Sequence, residues 1–281
     1  MTAGATRAWR SGPAAAVLVA MVLLAGCATR VPLAVAPPGS DAAPQPAAAL
    51  QAWGRVLQRF VDAQGRVDFH ALAGDRADLD RYLHHVAALP LDAPMSDDER
   101  MAHLINAYNA LSMANVIDSG FPASHAGLAK LRFFALRQFP VGGRWLSLYR
   151  LENDVIRPLG RSRGDPRLHF ALNCSALSCP VLPRRPFSAA TLDAELDAEA
   201  RAFFARPQNF RVDDAGRTVW LSAILDFYSD DFAPAPAPSL AAYANRYAAR
   251  PAPVDYAVRF TPYDWTVAYP ARAPSATPPA P

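Results

Sequence analysis

The sequence predicts an α+β fold, a single domain in which N-terminal helices pack on a small, mostly antiparallel sheet. Apolar residues recur at helical spacing through the first half of the chain, whereas short runs in the second half alternate at strand period. No repeat of fixed period interrupts this order of helices first and strands later.

The first helix spans about residues 50–61, where Leu50, Trp53, Val56, Leu57, Phe60 and Val61 fall on one face, and Gly65 ends it. A second carries Leu79, Tyr82, Leu83, Val86 and Leu89 and runs into the turn at residues 90–94. Ser96 and Glu99 have capping-box spacing, so a third helix starts there and continues to about Asp118. Gly142-Gly143 mark the turn of a hairpin within residues 133–148, followed by a short helix near 151–156. Residues 168–172 are a short apolar run suited to a buried strand. Residues 188–204 read as a helix capped by Ser188 or Thr191, and residues 210–212 and 218–221 as the arms of a second hairpin.

Both ends lie outside the domain. Arg7 and Arg10 precede an uncharged apolar stretch at residues 14–25, too short for a span, which needs about 20 apolar residues. Leu24-Ala25-Gly26-Cys27 resembles the bacterial lipobox, which implies removal of residues 1–26 and lipid on Cys27. Ala28 stands where an aspartate favours retention at the inner membrane, so the expected address is the outer membrane, facing the periplasm. Residues 27–48 are an Ala/Pro-rich tether, 49–269 the domain and 270–281 a disordered tail.

The formal net charge of +3 falls further once Arg7 and Arg10 leave, and Lys130 is the only lysine. Nucleic acid is therefore not an expected partner. The expected partners are the membrane, through the lipid, and an envelope protein, peptide or glycan.

Four ordered motifs carry a resemblance: residues 105–110 (INAYNA), 168–174 (LHFALNC) with Ser178-Cys179-Pro180, 225–228 (LDFY) with Asp230-Asp231-Phe232, and Tyr263-Asp264-Trp265. Together they resemble domain-of-unknown-function family 547 (DUF547) from about Trp53 to Trp265. Glu152-Asn153 stands where the family suggests Glu-His, and Phe227-Tyr228 where it suggests Trp-Tyr. The first departure removes a possible acid/base histidine. The layout, a helix followed by a strand-borne His169, is also similar to that of papain and transglutaminase-like thiol enzymes.

Two chemistries remain open. In one, Cys174 is a nucleophile and His169 its base, with Asn173, Glu152 or Asp264 orienting the imidazole. The thiol would need such a neighbour, because a free cysteine has a pKa of about 8.5. In the other, Cys174 and Cys179 are bridged, as an oxidising compartment allows, and the small loop contributes about 2 kcal/mol. Zinc on His169, Cys174 and Cys179 would lack an obvious fourth ligand, so no metal or cofactor is expected. Asn106 and Asn109 share an inward helix face, where their amides either tie the helix to a loop or contact substrate. Asp226 and Asp230-Asp231 read as caps or solvated acids. The functional expectation is a thiol-dependent hydrolase or acyl transferase on peptide-like amides, or a non-catalytic envelope binding module.

Overall fold

In the computed structural model, residues 28–34, 46–233 and 239–270 are described. The signal peptide, the lipid-bearing Cys27 and all but Pro270 of the tail expected from the sequence lie outside the described residues. Helix α1 (Pro46–Phe60) buries Trp53, Val56 and Leu57 against α3 (Ala77–Ala88), where Trp53 and Tyr82 stack with centroids 5.5 Å apart. The short α2 (Phe69–Gly74) sits between them in sequence, capped by the Asp68 carboxylate on Ala71 N–H.

The central element is α4 (Asp97–Asp118), which opens with the expected capping box of Ser96 and Glu99. Its residues are buried on every side from Leu104 to Val116, so it has no solvent stripe over that stretch. Polar residues there recur every three positions, and each ties down another segment. Asn106 donates to Phe187 O (2.8 Å) and accepts from Phe187 N and Trp53 Nε1. Asn109 donates to Ala171 O (3.0 Å) and accepts from Asn173 N (2.7 Å). Ser112 meets Ser175 at 3.0 Å, and Asn115 donates to Phe133 O at 2.9 Å.

Two small three-stranded sheets complete the α+β fold, and each is mixed, with one antiparallel and one parallel pair. In the first, β1 (Thr29–Arg30) runs parallel to β2 (Arg137–Val141), which pairs antiparallel with β3 (Arg144–Leu146). The second places β5 (Thr218–Ser222) between antiparallel β4 (Phe210–Asp213) and parallel β6 (Ala257–Thr261). The sequence reading anticipated both hairpins, but the outer parallel strands come from segments remote in sequence. The first hairpin turns at Gly142, with φ of +55°. A Cβ there would lie 2.7 Å from Leu91 N, so glycine is required by both conformation and space.

Chain geometry changes around residues 128–170. Helix α5 (Leu128–Leu131) continues into a π-helical turn (Arg132–Leu136), and α6 (Leu148–Arg150) passes through a second one (Leu151–Ile156) into α7 (Arg157–Arg163). Such wide turns re-aim the side chains they carry. Pro166–Phe170 is a 3₁₀ helix, not the expected buried strand: Asp165 caps it and Pro166 presets its first turn. This segment straddles two apolar cores. Leu168, Ala171 and Leu172 pack into the N-terminal core, while Phe170 joins Phe203, Phe204 and Phe232 in the C-terminal one. Helix α8 (Leu192–Phe204), α9 (Ala223–Phe227), α10 (Ser229–Phe232) and α11 (Leu240–Ala244) complete the second core. No helix among the described residues is long and apolar enough to cross a membrane.

Candidate functional site

Where the two cores meet, a cleft of about 340 Å³ opens, lined by Tyr108 of α4, Glu152 of the second π turn, His169 of the 3₁₀ helix and residues 227–228 after β5. Cys174, Cys179, Tyr263 and Trp265 complete its wall.

His169 is almost wholly buried, and its Nε2 lies 2.8 Å from Asp231 Oδ2. Asp231 also accepts from Arg157 Nε (2.8 Å) and Arg161 Nε (2.5 Å). Burial alone would raise the Asp231 pKa, but hydrogen bonds from His169, Arg157 and Arg161 hold it well below the usual carboxylate range. Burial lowers the His169 pKa, against the opposing effect of the Asp231 bond. A neutral imidazole beside an ionised carboxylate donates Nε2–H, which leaves Nδ1 as its acceptor.

Glu152 takes a different partner set. Its carboxylate accepts from Tyr228 Oη at 2.5 Å and from Tyr108 Oη at 3.1 Å. Burial, with the Glu152 charge next, raises the pKa of both phenols, so they remain donors at neutral pH. The Tyr228 ring stacks on His169 with centroids 4.0 Å apart and carries the Arg157 guanidinium at 4.9 Å. At the cleft mouth the Lys130 ammonium lies 4.1 Å from the Trp265 ring centroid and 5.5 Å from that of Phe227.

Cys174 and Cys179 are joined in a disulfide, with Cα atoms 6.1 Å apart. Tyr263 Oη lies 3.1 Å from Cys179 Sγ and 3.5 Å from Cys174 Sγ, and Cys174 N–H points to Cys179 Sγ at 3.1 Å. Cys174 therefore has no thiol to offer His169 in this state.

The expected orienting residues also act elsewhere. Glu152 serves the two tyrosines, not the imidazole, because the π turn directs it toward α4. Asn173 donates to Pro180 O (2.7 Å) and accepts from Ser175 N (2.8 Å), which braces the cysteine loop. Asp264 accepts from Thr266 N. Asn106 and Asn109, read as either tying the helix to a loop or contacting substrate, both bond buried backbone groups, and neither lines this cleft. The acid beside His169 is Asp231, which the sequence reading set aside as a cap or solvated group. Its signal was the Asp230-Asp231-Phe232 motif, although nothing local announced the two arginines that converge on it. Among the described residues no group of three His, Cys, Asp or Glu side chains could hold a metal ion.

Tyr108, Glu152, His169 and both bridged cysteines lie within residues 93–204, which match the family model described as protein of unknown function, DUF547. The chain is similar to that family over this segment. No curated protein and no solved structure matches it. The match is narrower than the resemblance from Trp53 to Trp265. The matched segment supplies part of the cleft lining, and Tyr228, Tyr263 and Trp265, which lie beyond it, supply more, with Asp231 behind His169.

Proposed function

We propose that this protein is a lipid-anchored module of the bacterial cell envelope whose cleft binds a carboxylate-bearing peptide or glycan. The observation that carries the reading is the cleft itself. Aromatic walls of Tyr228, Tyr263 and Trp265 offer stacking surface, while Lys130 brings positive charge to a lining whose two cysteines are bridged. Apolar faces with a few convergent polar groups are the usual form of a small-ligand site. A lysine ammonium favours an acidic group on the ligand.

The lipobox-like residues 24–27 support attachment through Cys27, and Ala28 supports the outer membrane as the address. With Cys174 bridged, binding suits the site better than hydrolysis of an amide.

The test is calorimetric titration of the protein with soluble cell-wall fragments that carry both sugar and acidic peptide. Saturable binding that weakens at least tenfold in Lys130→Ala, with the thermal midpoint unchanged, is the expected result. Fragments that bind Lys130→Ala as tightly as the parent, or that do not bind at all, would remove the proposal. Globomycin-sensitive processing and labelling by a fatty-acid probe, lost in Cys27→Ala, test the anchor separately.

A further inference from the structure

The disulfide lies in the wall of the cleft, and its two sulfurs are not equivalent. Neither sulfur carries a proton, so the Tyr263 phenol must donate, and it is closer to Cys179 Sγ (3.1 Å) than to Cys174 Sγ (3.5 Å). Burial raises the Tyr263 pKa, which keeps that proton in place. The Cys174 backbone N–H supplies a second donor to Cys179 Sγ at 3.1 Å. Hydrogen bonds to a departing thiolate make it a better leaving group, and the lower-pKa thiol leaves faster.

We infer that the Cys174–Cys179 bridge is an exchange-active disulfide that oxidises a dithiol entering the cleft, with Cys174 as the attacked sulfur and Cys179 as the leaving one. One substrate thiolate attacks Cys174 Sγ. The Cys174–Cys179 bond breaks, and its electron pair stays on Cys179, between the Tyr263 O–H and the Cys174 N–H. The second substrate thiolate then attacks its own partner sulfur in the mixed disulfide and expels the Cys174 thiolate. The balance is one substrate dithiol oxidised to a disulfide and one protein disulfide reduced to two thiols, with protons from the substrate ending on the protein thiols or in water. Tyr263 is a positioning and hydrogen-bonding residue in this scheme, because it touches the sulfur that leaves. The activity goes beyond ligand binding and does not depend on it.

The experiment uses the full chain, purified with its bridge intact and without denaturant. It is mixed with glutathione, quenched in acid, alkylated and mapped by peptide mass. The expected map places glutathione on Cys174 and the alkyl group on Cys179, and dithiothreitol should yield oxidised dithiothreitol one to one with reduced protein. Tyr263→Phe should slow adduct formation about tenfold, the cost of roughly one hydrogen bond to a charged sulfur. Glutathione on Cys179, or no adduct until denaturant is added, overturns the inference. The parent map decides this alone, whether or not the Tyr263→Phe chain folds.

Discussion

His169 and Asp231 are bonded through Nε2 and Oδ2 at 2.8 Å, with both side chains almost fully withdrawn from solvent. The pair joins the 3₁₀ helix to α10 across the junction of the two cores, and Arg157 and Arg161 complete it. Asp231→Ala would strand a buried imidazole and a half-buried guanidinium, with an expected loss of about 3–5 kcal/mol. Asp231→Asn keeps an acceptor and should cost less. Urea unfolding of the two variants measures both, and equal small losses would show that the ion cluster does not hold the cores together.

Stability should fall with acid because buried histidines resist protonation. Burial lowers the pKa of His103 and of His125 to about 4, and that of His169 in the same direction. Their unfolded forms bind protons below about pH 6.5, so the folded state loses stability from there down to about pH 4. Glu199 opposes this, since burial raises its pKa to about 7 and its contribution fades as pH rises from the usual carboxylate range. Asp231 adds a further loss only below its unfolded pKa of about 4. Thermal midpoints from pH 7.5 to 4 should therefore decline, and more steeply in Glu199→Gln. A flat profile would contradict the histidine assignments.

Asn109 ties α4 to the loop that follows the 3₁₀ helix. Asn109→Ala would unpair Ala171 C=O and Asn173 N–H, both buried, at a cost of about 2–4 kcal/mol. The same substitution should leave affinity for any cleft ligand within about twofold in the folded fraction. A large change in affinity without a change in stability would restore Asn109 to the binding surface.

Glu152 couples the second π turn to α4 and to the junction of α9 and α10 through its tyrosines. Tyr108→Phe and Tyr228→Phe should each cost about 1–3 kcal/mol, because each leaves a buried carboxylate one donor short. The double variant should cost a different amount from the sum, since both act on one carboxylate. Strict additivity would mean that the two phenols do not share Glu152.

Gly142→Ala combines a left-handed φ with a Cβ 2.7 Å from Leu91 N. The expected penalty is about 1–3 kcal/mol, read from the shift in denaturant midpoint, with Gly143→Ala as the milder comparison because open space surrounds it.

Helices and hairpins were legible in the sequence because their signals are local: the Ser96–Glu99 cap, the glycine turn and the stripe from Leu50 to Val61. The 3₁₀ helix at Pro166–Phe170 was misread as a strand because a short apolar run has no period of its own, and Asp165-Pro166 outweighed it. The parallel strands were invisible for another reason. Thr29 pairs with Arg137, and Thr218 with Ala257, over separations that no local pattern encodes. The sequence named His169, Cys174, Cys179 and Glu152 as chemically interesting, and all four line one cleft. The Cys174–Cys179 bridge was one of its two readings, whereas the Asp231 partner of His169 and the tyrosine partners of Glu152 are set by α10 and the π turn, which the resemblance alone does not place.

Strand β1 also determines how far the protein can reach. Thr29 stands two residues beyond Cys27 and is already fixed on β2, with Val31 N–H on Gln138 O and His84 Nε2 on Ala34 O securing the segment that follows. Two extended residues bridge at most about 7 Å. A lipid on Cys27 would therefore hold the folded body flush against the headgroups. On that footing the domain would sample ligands in the layer next to the bilayer, and an insertion between Cys27 and Thr29 would raise it.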